Sequence, residues 1–79
     1  MNLAVVEKIR DADRGTTIFF CSGMRADGSW AATEYLVRHW RQLHREFGDS
    51  CFALCLGFPK TNSYLTEYRE PIRLASLRT

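Results

Sequence analysis

The chain is poor in the residues that break structure: among 79 positions there are five glycines and two prolines. That scarcity argues against collagen-like repeats, low-complexity tracts and flexible linkers, and no internal repeat is present. No apolar run approaches the ~20 residues that span a bilayer as a helix. The opening MNLAVVEKIR lacks a basic stretch followed by an apolar core, so it does not read as a secretory signal. Three cysteines, Cys21, Cys51 and Cys55, cannot all pair within one chain. A reduced protein in the cytoplasm of a bacterial host is the expectation. An excess of either charge is missing too. A net charge of +2 disfavours both an acidic DNA mimic and a strongly basic non-specific nucleic-acid binder.

Apolar residues make up 46% of the chain, which is globular composition, and 79 residues make a single domain, 1–79. A domain this small buries about 60–65% of its unfolded surface, so its stability rests on a good core or on a dimer. Of eleven basic residues nine are Arg. Arg makes bidentate protein contacts that Lys does not.

Residues 3–13 read as a short N-terminal helix capped by Asn2, although the β-branched Val5, Val6 and Ile9 suit a strand equally well. A turn follows over Asp11–Gly15. TTIFFCSG reads as a buried strand over Thr16–Ser22. A long helix begins at Asp27 or Ser29 and ends before Gly48, about 28 Å in length. Ala32, Leu36, Trp40, Leu43 and Phe47 recur every three or four residues and form its apolar stripe. CFALCLGF is a strand with Phe52, Leu54, Leu56 and Phe58 on one face and Cys51, Ala53 and Cys55 on the other. Both faces are apolar, which predicts a central strand covered on both sides or by a second chain. A further strand is expected over Tyr64–Glu70 and another over Ile72–Leu77. The strand–helix–strand order lets the two flanking strands run parallel. The predicted fold is α/β or α+β: a small mixed sheet of three to four strands packed against one long helix, with the short N-terminal helix.

Several residue groups carry chemistry. FFCSGMR places Cys21 at a strand end before Gly23 and Arg25. The segment CSGMRADGSWAATEYL resembles the active-site loop of rhodanese-like proteins, and that likeness implies a thiol transferase using Cys21 and Arg25. Only three residues separate the two, too few to wrap backbone amides around a tetrahedral anion, so Cys21 is read first as a strand cysteine. A metal site drawn from Cys21, Cys51, Cys55, His39 and His44 is not expected. Cys51 and Cys55 lie ~13 Å apart along a strand, beyond one tetrahedral zinc. No cofactor is expected either.

On the helix, Glu34, Arg38, Arg41 and Arg45 lie opposite the apolar stripe. A homodimeric DNA-binding regulator would use this arginine face, but Glu34 interrupts it and no aromatic lies there for stacking. Beside it run Trp30, Val37 and His44, seven residues apart. Tryptophan next to arginines is the composition of a protein interface. Tyr64 and Tyr68, on one face of the expected strand, form a second partner-binding candidate. A non-catalytic protein-binding module, monomer or homodimer, is therefore the first expectation. In size, Arg bias and lack of motifs the whole chain resembles small phage and mobile-element accessory proteins, above all anti-CRISPR proteins. That resemblance implies an inhibitor that binds a CRISPR effector complex and blocks DNA recruitment or target cleavage; no motif carries it, so no residue role transfers.

Overall fold

The computed structural model describes residues 2–24, 26–58 and 70–78. Its elements are β1 (Asn2–Asp11), β2 (Thr16–Gly23), α1 (Ala26–Phe47), β3 (Phe52–Phe58) and β4 (Ile72–Arg78). The expected N-terminal helix is instead β1. Its buried row is Asn2, Ala4, Val6 and Lys8, while Leu3, Val5 and Ile9 lie in the other. Two polar residues inside and three apolar ones outside hide the alternation that marks a strand. Pairing on both sides then decides the conformation: β1 bonds with β2 from Ala4↔Gly23 to Asp11↔Thr16, and with β3 from Asn2↔Phe58 to Lys8↔Phe52.

The sheet order is β2-β1-β3-β4 and every neighbouring pair is antiparallel, so the expected mixed sheet is not what forms. β2 and β3 do run parallel to each other, joined through α1, but β1 lies between them. The hairpin before α1 puts it there: Asp11 Oδ1 accepts the backbone N–H groups of Asp13 and Arg14 at 3.1 and 3.4 Å, and so closes the β1–β2 turn locally. β4 pairs with β3 through a bulge opposite Cys55 and Leu56. The expected strand at Tyr64–Glu70 falls, up to residue 69, outside the described residues.

One buried cluster joins the helix and one face of the sheet. Ala31, Ala32, Tyr35, Leu43 and Phe47 meet Ala4, Val6, Phe52, Leu54, Leu56 and Phe58. Phe47 stacks on Phe52 with ring centroids 4.5 Å apart. The helix makes its sheet contacts chiefly with β1 and β2. It stops at Gly48, whose φ of +59° is the left-handed conformation of a glycine stop. Trp40, expected in the inward stripe, is 42% exposed. It lies at the stripe's margin over the edge strand β2, where Phe19 meets it edge-on at 5.3 Å and, among the described residues, no further strand covers it.

On β4 the row facing the helix is polar. Arg73 donates to Glu46 Oε2 at 2.6 Å and to the Tyr35 hydroxyl at 3.5 Å. Arg78 donates to the Glu46 carbonyl and lies 5.4 Å over the Phe47 ring. Long cationic side chains thus tie β4 to the last turn of α1, where the helix dipole favours positive charge.

Candidate functional site

The outer flank of α1 collects most of the expected partner-binding residues. Val37 is 68% exposed, and Arg38, Arg41, His44 and Arg45 are exposed beside it. Arg38 Nε bonds Glu34 Oε2 at 3.2 Å, one turn away, so that cation is partly neutralised. Trp40 joins this flank. Its ring lies 5.8 Å from that of His44 at 31°, and its edge contact with Phe19 holds it in place. A half-exposed tryptophan bordered by Val37, His44 and Arg41 has the aromatic-and-arginine composition that protein interfaces concentrate. Its four-residue spacing from Leu36 put it in the core by sequence; only its exposure moves it to the surface. Trp30 is half-buried and packs against the core cluster at the start of the helix. Tyr64 and Tyr68 lie outside the described residues.

Cys21 sits on the helix-facing side of β2, partly buried. Burial holds its thiol above its usual 9.0; a side-chain hydrogen bond with Thr33 acts in the opposite sense and is the smaller effect. A nucleophilic thiol needs the reverse shift, toward thiolate at neutral pH. Arg25, its partner in the rhodanese-like reading, is outside the described residues.

A polar group forms on the other flank of α1. Tyr35 and His39 have ring centroids 4.4 Å apart, and His39 Nε2 lies 2.6 Å from Glu70 Oε1. The Arg73–Glu46 pair beside it links β4 to the helix. Among the described residues no three of His, Cys, Asp and Glu gather as a metal site would require. No described helix is long and apolar enough to cross a membrane.

The face of the sheet turned away from α1 is a second surface, one that the sequence pattern does not separate from a core. Leu3, Val5 and Ile9 of β1, Ile18 and Phe20 of β2, Ala53 and Cys55 of β3, and Ile72, Ala75 and Leu77 of β4 share it by register. Val5, Ala53, Cys55, Ala75 and Leu77 line an open trough of about 430 Å³ on it. Compared with family models, curated proteins and solved structures, the chain matches none.

Proposed function

We propose that this protein is a non-catalytic inhibitor that works by binding another protein, and that its target is a CRISPR effector complex in the bacterial cytoplasm. The observation that carries the binding reading is the outer flank of α1, where exposed Val37, Trp40 and His44 border Arg41 and Arg45. Aromatic and arginine side chains around an apolar centre are what protein interfaces concentrate. A net charge of +2 supports steric blocking of a protein surface in preference to imitation of DNA. The raised thiol of Cys21 weighs against a thiol transferase.

The test mixes the purified chain with purified CRISPR effector complexes and follows target-DNA binding by gel shift and cleavage by product formation. A stoichiometric complex that survives high salt and stops either step is expected. Val37→Glu and Arg41→Ala should each weaken it by about tenfold or more while leaving the melting temperature unchanged. Binding to no effector complex removes the target. Unaltered affinity in both variants removes the surface. Capture of nucleic acid alone, lost at high salt, returns the arginine face to DNA.

A further inference from the structure

We propose that the open face of the sheet is a homodimer interface, with a second copy of this chain packed on it sheet against sheet. The proposal is independent of the function above, because the outer flank of α1 lies on the far side of the molecule and stays free in such a dimer.

Area is the first argument. On this face Leu3, Ile9, Ile18, Phe20, Ile72 and Leu77 are 39, 38, 36, 52, 59 and 63% exposed. At roughly 150–200 Å² per fully exposed large side chain, these six alone offer on the order of 500 Å² of apolar surface. The smaller Val5, Ala53, Cys55 and Ala75 lie between them and bring the face toward the roughly 800 Å² per partner of a stable interface. Even on an ordinary monomer the largest apolar patch, about 300–600 Å², is often a functional contact surface.

Shape is the second argument. In the row Phe20–Glu7–Ala53–Leu77, which crosses all four strands, Phe20 stands up on β2. The trough lies on the other side of β1, over β3 and β4. A two-fold axis in the plane between the sheets can seat each Phe20 over the mate's trough, the reciprocal contact that a symmetric interface needs. Aligned sheets pack in this way about 10 Å apart.

Charge is the third. Among the described residues Glu7 is the charged one in the interior of the face, half-buried between Phe20 and Ala53, and in the dimer it needs water or a donor. A surface with so little charge selects its partner by apolar fit, and a second copy presents the same apolar face in return. A 79-residue domain whose sheet, among the described residues, is covered on one side also has most to gain from a second layer.

The experiment is sedimentation equilibrium of the whole chain from about 1 to 100 μM, the range of ordinary reversible interfaces. The expected mass is twice 9.1 kDa at the upper concentrations. Phe20→Lys and Leu77→Lys, on opposite edge strands, should each raise the dimer Kd by about a hundredfold or more with an unchanged far-ultraviolet circular dichroism spectrum. Should one of them fail to fold, the other still decides. Val37→Lys on the helix flank should leave the dimer intact. A chain that stays at 9.1 kDa throughout overturns the proposal. A dimer broken by Val37→Lys and untouched by both sheet variants overturns it as well.

Discussion

Lys8 Nζ, on the buried row of β1, donates to the carbonyl oxygen of Gly48 at 3.1 Å, at the residue where the helix ends. One cation thus reaches from the sheet to the negative end of the helix dipole and satisfies a carbonyl that has no partner within the helix. It is also the reason a lysine sits 8% exposed between apolar neighbours: Phe19 and Phe52 flank it in the register, and its ammonium has a fixed acceptor.

Lys8→Met keeps the apolar stem and removes the donor. The expected loss is about 1–2 kcal/mol, or roughly 5–10 °C in Tm for a domain of this size. Thermal unfolding by circular dichroism checks it, and an unchanged Tm would show that water serves Gly48 as well as Lys8 does.

Gly23 and Gly28 bring the end of β2 against the first turn of α1. A Cβ on Gly23 would lie 2.5 Å from the Gly28 carbonyl carbon and 2.7 Å from the Ser29 nitrogen, backbone atoms that cannot swing aside. Gly23→Ala should therefore cost about 3 kcal/mol or more and push much of the population out of the native state. Ala at Gly48 meets no atom within 4 Å and carries only the cost of a φ near +59°, about 1 kcal/mol. Urea denaturation of the two variants should place them in that order.

The thiol of Cys21 should be slow. Its folded pKa is raised by burial, so the neutral form is favoured at pH 8 and alkylation by iodoacetamide should run more slowly than for free cysteine. The same shift fixes the alkaline limb of stability. Below pH 9 the contribution is fully present; above it the unfolded chain loses this proton first, and stability falls as pH rises through the folded pKa. Cys21→Ala should flatten that limb. Alkylation faster than free cysteine would restore the thiol-transferase reading.

The long helix, its glycine stop, the two-sided apolar pattern of β3, and the strands β2 and β4 were readable from the residues, because each rests on local periodicity and capping chemistry, although β2, expected to be buried, is an edge strand with no buried residue. So was the arginine face, which follows from helical spacing alone. Three things were settled only by tertiary structure. β1 became a strand because two flanking strands supply its backbone partners, while its inward row includes Asn2 and Lys8, which no hydropathy rule places in a core. The sheet became wholly antiparallel because the Asp11 turn folds β2 back on β1 before the helix crosses over to β3. Trp40 and the row of Phe20 and Leu77 became surface because exposure depends on what lies beyond a side chain: α1 covers one face of the sheet, and β2 is its edge. Periodicity along a chain reports which residues share a face; only the assembled layers determine whether that face is covered.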